Sequence, residues 1–282
     1  MRKFNQFIGF TFSKLAILIV ILTLFTILLF IFKRGFSVLN LSFIFEFPKD
    51  GMTKGGIFPA IIGTLCLSVG GILFALPLGV MGAIYLSEYA KSNIVIRIIR
   101  LGINNLAGTP SVVFGLFGLA VFVKLFGFGI SILSGSLTLG ILILPVIIRT
   151  TEEAIIAVPK EFREASYALG ATKWETIKKV VLPVATPGIL TGVILGVGRA
   201  AGETAPILFT ATTFYTRYLP NSIFSEVMAL PYHIYALMTE GTKSELQVPI
   251  AYGTAVVLLF LVLGINLVAI IIRYHARKGK KW

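Results

Sequence analysis

The sequence predicts an all-α protein that crosses a membrane six times. Of its 282 residues, 56% are hydrophobic and only 13% are charged, whereas soluble domains carry roughly a quarter charged residues. The mean hydropathy is +0.93, and the hydrophobic residues form long runs that are sufficient to span the hydrocarbon core of a bilayer. We therefore expect a polytopic membrane protein whose outer helix faces contact lipid.

Six apolar segments are the predicted spans: residues 15–32, 57–86, 101–122, 130–148, 187–209 and 250–272. Lys33 and Arg34 follow the first segment where a signal peptide would need small residues, so we expect this helix to be retained. Gly108-Thr-Pro-Ser111 interrupts the third segment. A proline kink is the preferred interpretation, and a broken helix that points backbone groups at an anion is the alternative.

The chain is expected to divide into three parts. Residues 1–56 hold the first transmembrane helix and an external loop, residues 57–272 form a core with five spans, and residues 273–282 are a basic tail. Within the core, 150–187 is a charged loop, whereas 211–249 is a long outer loop with a short helix expected near Asn221 or Ser222.

The positions of the basic residues predict the orientation. With Arg149, which directly precedes the 150–187 loop, seventeen of the 25 Lys and Arg residues lie in the two termini, the second loop and the 150–187 loop, against seven in the other loops. Because cytoplasmic segments carry the excess of Lys and Arg, both termini and the 150–187 loop are predicted to be cytoplasmic. The net charge of +13 then reflects topology, and we expect no nucleic-acid binding.

Two short amphipathic helices are predicted in the 150–187 loop. Pro159 suits the first position of one helix, and Gly170 suits its left-handed C-terminal turn. Thr172 and Glu175 form a Thr-x-x-Glu capping box, from which a second helix is expected to run until Pro183 stops it. This helix–turn–helix is typical of a docking element. The alternatives are an amphipathic helix on the lipid surface and a DNA-binding helix-turn-helix, which flanking membrane spans disfavour.

The same loop resembles the EAA signature of bacterial ABC-importer permeases, through Glu164-Ala165, Ala168 to Ala171, Ile177 and Leu182-Pro183. The resemblance implies that the loop is the cytoplasmic coupling helix, which sits in a groove of a separate ATP-hydrolysing subunit. It assigns the coupling contact to six residues: Glu164, Ala165, Ala168, Leu169, Gly170 and Ala171.

A charged pair lies inside the fifth predicted span. Arg199 and Glu203 are four residues apart in the sequence GRAAGET, on the face that also carries Gly192 and Gly196. A charge at mid-bilayer is costly, by about 2.5–3.5 kcal/mol on insertion scales, so we expect this face to contact protein or water. One interpretation is a structural ion pair. The other is a substrate path in which Arg199 meets an oxyanion and Glu203 orients it; both can hold together.

GRAAGETAPILFTA and the stretch from Asn105 to Phe117 resemble the PstA permease subunits of phosphate-uptake systems, over roughly residues 57–272. The resemblance implies the core of a type I ABC importer in the bacterial cytoplasmic membrane, with Arg199, Glu203 and Thr204 in the substrate path. It also implies a heterodimer with a PstC-like permease, two ATPase subunits that hold ATP and Mg, and an external phosphate-binding protein.

Several absences shape the expected function. The sequence contains no G-x-x-x-x-G-K-[ST] loop, nucleophile elbow or zinc-ligand spacing, so we expect a non-enzymatic chain with no catalytic residues, cofactor or metal.

His233 and His275 are lone histidines. Five residues of the outer loop are expected either to contact a binding protein or to form an interfacial aromatic belt: Tyr215, Tyr218, Tyr232, His233 and Tyr235. Carriage of sulfate or molybdate, and a self-sufficient secondary anion transporter, are the alternative functions.

Overall fold

The computed structural model describes residues 2–91, 93–241 and 243–278, most of which are helical. The α-helices are α1 Arg2–Gly35, α2 Leu41–Phe45, α3 Phe58–Ile84, α4 Ile94–Gly108, α5 Ser111–Gly118, α6 Ile132–Ile156, α7 Lys160–Ala168, α8 Lys173–Thr176, α9 Leu182–Gly202, α10 Ala205–Leu208, α11 Leu230–Thr239 and α12 Ser244–Lys278. Short π-helical segments follow α3, α5 and α8, at Tyr85–Tyr89, Leu119–Leu125 and Ile177–Val181. Strands β1 Pro48–Lys49 and β2 Lys54–Gly55 form a small antiparallel hairpin before α3.

Five helices in the described ranges are long and apolar enough to cross a membrane: Phe10–Val38, Phe58–Tyr89, Ile132–Ile156, Lys173–Gly202 and Glu245–His275. The α4–α5 pair brings the number to six if it counts as one span, and its two halves meet at 104°. These helices confirm the all-α polytopic fold. We refer to the two ends of the bundle as the α7–α8 end and the α11 end.

The predicted proline kink in the third span is wrong, because the chain there is fully broken. α4 ends at Gly108 and α5 begins at Ser111, with Thr109 and Pro110 in extended conformations (ψ 134° and 139°). The proline ring disfavours the helical region for Thr109, which ends α4. α5 then turns away because it packs closely elsewhere: a Cβ on Gly115 would lie 2.8 Å from the Ala205 carbonyl oxygen.

Helices α3, α6 and α9 form the centre of the bundle, and glycines let their backbones approach. A Cβ on Gly79 of α3 would lie 2.6 Å from a methyl group of Ile147, and one on Gly192 of α9 would lie 1.9 Å from the Thr150 hydroxyl. Small residues at such contacts are typical of membrane helix packing. The buried side chains between these helices include Leu67, Leu139, Leu142, Ile143 and Ile147.

We predict that Gly192→Val destabilises the bundle. Its added carbons would overlap Thr150, and overpacking a core typically costs about 1–3 kcal/mol. The apparent melting temperature of the detergent-solubilised protein should fall by roughly 5 °C. Gly264→Ala on α12 is the matched control, since nothing lies within 4 Å of its Cβ position, and it should leave the melting temperature unchanged or slightly higher. An unchanged melting temperature in Gly192→Val would contradict the close α6–α9 contact.

The predicted helix end at Pro183 is also wrong. The π-helical turn Ile177–Val181 links α8 directly to α9, so one helix runs from Lys173 to Gly202. A proline removes one backbone donor and crowds the preceding turn, and a π-helical turn placed just before it accommodates both effects. The second helix of the charged loop is therefore continuous with the following span.

Two other boundaries differ from the sequence-based expectation. α6 continues past Ile148 to Ile156, so it carries Arg149 and the acidic residues after it. The short outer helix does not begin near Asn221 or Ser222; it is α11, which starts at Leu230. α11 forms there because its apolar face, which includes Leu230 and Leu237, packs into a cluster with Phe43 and Ile57.

Candidate functional site

Helices α7 and α8 form a compact hairpin at the α7–α8 end. Pro159 precedes α7, and Gly170 follows it with a φ of +80°, in the left-handed region that favours glycine. The predicted capping box is present: the Thr172 hydroxyl accepts a hydrogen bond from the Glu175 N–H, and the Glu175 carboxylate accepts one from the Thr172 N–H. The Ser166 and Thr176 hydroxyls lie 2.9 Å apart and join the two helices.

The tip of this hairpin is an uncovered surface with both apolar and acidic character. Of the six residues assigned to coupling, Glu164, Ala165, Ala168, Leu169 and Gly170 are exposed and Ala171 is half-buried. Leu169 is 89% exposed at the turn, and the nearby rings of Tyr167 and Trp174 are exposed as well. A leucine presented to solvent beside small residues and a carboxylate suits insertion into a partner groove.

The opposite face of the hairpin rests on the ends of three central helices. Phe162 of α7 packs against a buried apolar cluster from α3, α6, the π-helical turn and α9: Ile84, Ile155, Val158, Ile177, Val181 and Ala185. Burial of this cluster holds the hairpin against the bundle, so its exposed tip faces away from the bundle.

Arg199 and Glu203 form an ion pair at the C-terminal end of α9. The Arg199 Nε lies 3.3 Å from the Glu203 Oε1, and the two side chains are 33% and 18% exposed. The helix ends at Gly202, so Glu203 is extended (φ −76°, ψ 133°) and Thr204 follows it at the break before α10. The predicted i,i+4 pair therefore forms, although Glu203 lies just beyond the helix.

The packing of α9 on α6 places this pair near the middle of the bundle. Gly196 faces Ile143 and Ile147, and Arg199 is one turn further towards the α11 end. α6 has 25 residues, so Arg199 lies level with its centre. α5, the second arm of the broken span, packs on Ala205 immediately after Thr204. A break in two neighbouring helices at this depth is typical of sites at the membrane midplane.

Two polar features of the bundle were missed by the sequence analysis. Asn266 of α12 packs against the backbone of α9, where a Cβ on Gly198 would lie 3.5 Å from its Nδ2. Its Oδ1 is buried and makes no hydrogen bond to the described residues. The sequence did contain a signal for Asn266, because an amide side chain within a long apolar segment is rare and marks a functional candidate.

The second feature is a polar cleft of about 340 Å³ between α4 and α6. Arg100 Nη1 lies 2.5 Å from Glu152 Oε1 across this cleft, and Arg149 donates a hydrogen bond to the Asn104 amide oxygen. The sequence analysis placed Arg149 and Glu152 in a loop, whereas both residues lie on α6. Charged side chains therefore also line the bundle closer to the α7–α8 end.

The tyrosines and the histidine of the outer loop differ in their exposure to solvent. Tyr218 and Tyr235 are exposed, whereas His233 of α11 is buried and so cannot contact a partner directly. Burial lowers the pKa of His233 to about 4 because it disfavours the charged ring, so His233 is neutral at pH 7. In the described ranges, no group of three or more His, Cys, Asp or Glu residues is arranged to hold a metal ion.

The chain is similar to known transport proteins over most of its length. A family model described as binding-protein-dependent transport system inner membrane component matches residues 75–281. The chain is 40% identical over 251 residues to the probable ABC transporter permease protein YqgI of Bacillus subtilis, covering 85% of each chain. It is 42% identical to the phosphate transport system permease protein PstA of Mycobacterium leprae, covering 79% of this chain and 72% of that protein.

Solved structures share its fold. The crystal structure of a bacterial alginate ABC transporter aligns with a TM-score of 0.67 at 15% identity, covering 98% of this chain and 95% of the other. The inward-facing MetNI methionine ABC transporter aligns with a TM-score of 0.60 at 20% identity, covering 78% and 94%. The family match and the relatives of this identity and coverage show that the chain belongs to the inner membrane components of binding-protein-dependent transport systems, the permeases of ABC importers.

Proposed function

We propose that this chain is a membrane-spanning permease subunit of an ATP-driven phosphate importer and forms half of its translocation path. The observation that carries the proposal is the Arg199–Glu203 pair at the centre of the bundle, in a chain 42% identical to a permease named for phosphate transport. An arginine at this depth is costly unless it faces protein or water, and its planar fork matches the oxygens of an oxyanion.

The geometry of the pair suits transient anion binding. Within the described part of the chain, only the Nε of Arg199 has a hydrogen-bond partner, Glu203, which leaves both terminal nitrogens for phosphate oxygens. Glu203 orients the guanidinium and balances its charge when no anion is present. Thr204 follows at the helix break and supplies a hydroxyl near the same place. Phosphate therefore meets one preoriented cation, with a binding strength that permits release.

The energy source in this proposal is a separate ATPase, which holds ATP and Mg. Its groove receives the α7–α8 hairpin: Leu169 inserts, Ala165 and Ala168 permit close approach, and Glu164 pairs with a basic residue. Closure of two ATPase copies moves the hairpin and tilts the bundle, so that the path opens to alternate sides. In this orientation, both termini and the hairpin are cytoplasmic.

The remaining partners complete the path and deliver the substrate. A second, PstC-like permease covers the faces of α4 and α5, where Ile98, Leu101, Val113 and Leu116 are exposed. An extracytoplasmic phosphate-binding protein docks at the α11 end. In this arrangement the binding protein mainly determines which anion is selected, and this chain couples ATP hydrolysis to anion movement.

The proposal is tested by reconstituting the permease pair with the ATPase and the phosphate-binding protein in liposomes. We expect phosphate accumulation that requires ATP, with sulfate and molybdate accumulating at least tenfold more slowly. Liposomes without the ATPase are the control and should accumulate none. Faster sulfate or molybdate uptake identifies a different oxyanion permease, and ATP-independent uptake identifies a secondary transporter.

A further inference from the structure

The α7–α8 hairpin is covalently attached to two of the central helices but not to the third. Its ends continue into α6 and, through the π-helical turn Ile177–Val181, into α9. α3 is connected to the hairpin only by noncovalent contacts. Movement of the hairpin therefore reaches α6 and α9 along the backbone, whereas α3 requires a specific contact to follow.

That contact is an ion pair at the end of α3. Arg163 of α7 donates two hydrogen bonds to Glu88 Oε1, from Nε at 3.2 Å and from Nη2 at 2.8 Å. The Arg163 and Glu88 side chains are only 16% and 10% exposed. A two-pronged, largely buried pair of this kind defines both distance and direction.

Arg163 also binds the last turn of α6. Its Nη2 donates to the Ile155 carbonyl oxygen at 2.9 Å, and its Nη1 donates to the Val158 carbonyl oxygen at 2.7 Å. Ile155 lies in the last turn of α6 and Val158 follows the helix, so the guanidinium lies at the C-terminal end of α6, where a cation interacts favourably with the helix dipole. One guanidinium thus connects α7, α6 and the carboxylate that follows α3.

Glu88 lies in the π-helical turn Tyr85–Tyr89, and α8, the second helix of the hairpin, also contacts this turn. Lys173 of α8 donates a hydrogen bond to the Glu88 backbone carbonyl oxygen, and its Nζ lies 4.7 Å from the centre of the Tyr89 ring. Both helices of the hairpin therefore contact one turn at the end of α3. A shift of the hairpin as a unit would carry this turn with it.

α3 extends from this turn to the opposite end of the bundle. Near its start, the Thr64 hydroxyl accepts a hydrogen bond at 2.8 Å from the Leu230 N–H, at the beginning of α11. Along its length it packs on α6 through Gly71 and Gly79. A displacement of its Glu88 end is therefore communicated, along this continuous helix, to the segment where α11 begins.

We propose that the Glu88–Arg163 pair is the joint that transmits hairpin movement to α3, so that both are positioning residues for coupled transport. The proposal rests on the proposed function. The apolar cluster beneath the hairpin holds it by nondirectional contact, which permits sliding. The forked pair resists sliding, because a displaced guanidinium would leave a largely buried carboxylate without its partner.

Two conservative variants test this joint in the reconstituted complex: Arg163→Lys, which keeps the charge but loses the fork, and Glu88→Gln, which keeps an acceptor but loses the charge. We measure ATP hydrolysis, phosphate uptake and the amount of assembled complex. The expected result is assembly with retained ATP hydrolysis and at least a fivefold loss of phosphate moved per ATP. The double variant should be no worse than the poorer single variant, because both remove one interaction.

A second measurement does not depend on the substrate. Cys66 is the only cysteine and lies on α3, so an environment-sensitive fluorophore attached there reports movement of this helix. ATP should change its fluorescence in the otherwise unaltered complex, and both variants should reduce that change at least fivefold. This response tests the joint even if phosphate is not the substrate, and uptake of each anion tests the proposed function.

Lys179→Gln is the matched control, because it removes an exposed ion pair with Glu175 whose atoms are 3.5 Å apart and whose lysine is 71% exposed. It should leave uptake per ATP and the Cys66 response unchanged. The proposal is overturned if both conservative variants keep the Cys66 response and the uptake per ATP of the original complex. It is equally overturned if their uptake and ATP hydrolysis decline only in proportion to the assembled complex.

Discussion

Arg199→Gln should reduce phosphate uptake by up to roughly a hundredfold while the transport complex still assembles. The guanidinium is the charged group that the bundle holds at mid-span, and glutamine keeps much of its volume without its charge or fork. Hydrogen bonds to a charged group contribute about 1.5–3 kcal/mol, and the upper value corresponds to roughly a hundredfold in binding. Uptake by reconstituted liposomes is the measurement, with co-purification of the ATPase as the test of assembly.

The experiment must distinguish a loss of anion binding from a loss of stability, because Arg199→Gln also leaves Glu203 without its ion-pair partner. Arg199→Gln combined with Glu203→Gln removes both charges, so it should assemble fully and still fail to transport. Arg273→Gln is a matched control on α12, where the guanidinium donates to the Thr191 hydroxyl at 3.1 Å; it should retain most uptake. If Arg199→Gln prevents assembly and the doubly neutral variant transports normally, the pair is structural only.

Glu164→Lys should uncouple the permease from its ATPase and lower uptake at least tenfold. Glu164 is exposed on α7 beside Ala165 and Leu169, so the substitution leaves the permease fold intact and the protein in the membrane. In the proposed complex it places two like charges together at the ATPase groove, which costs several kcal/mol at an interface. The measurements are co-purification of the ATPase and ATP-dependent uptake.

Glu161→Lys is the matched control for this prediction. Glu161 lies in the first turn of the same helix, is also exposed, and precedes the EAA stretch by one turn. It should lower uptake far less than Glu164→Lys. Normal uptake and normal ATPase binding in Glu164→Lys would show that the hairpin does not dock through this carboxylate.

The features that followed correctly from the sequence are those whose causes are local. Hydrophobic segments of membrane-spanning length can satisfy their backbone only as helices, so the all-α polytopic fold required no knowledge of neighbours. The hairpin was equally predictable, because the positive φ of Gly170 and the Thr172–Glu175 capping box involve residues at most a few positions apart. The Arg199–Glu203 pair also forms within one turn.

The features that failed depend on residues distant in the sequence. Pro110 disfavours the helical conformation of Thr109 and so ends α4, but the 104° between α4 and α5 follows from the packing of Gly115 on Ala205. Pro183 stops most helices, yet here a π-helical turn carries the chain through it, and the buried Ile177 and Val181 hold that turn in place. The short outer helix formed where burial of Leu230 and Leu237 was available.

The sequence by itself thus determined which segments enter the membrane, which loop forms a helical hairpin and which charged residues lie within a span, because hydration and helix capping act over a few residues. Only the tertiary structure decided that Arg199 lies level with the centre of α6, that Asn266 packs on α9, and that Glu88 meets Arg163 across 75 positions. Such contacts are set by the close packing of α3, α6 and α9, and packing depends on the shapes of all three helices together.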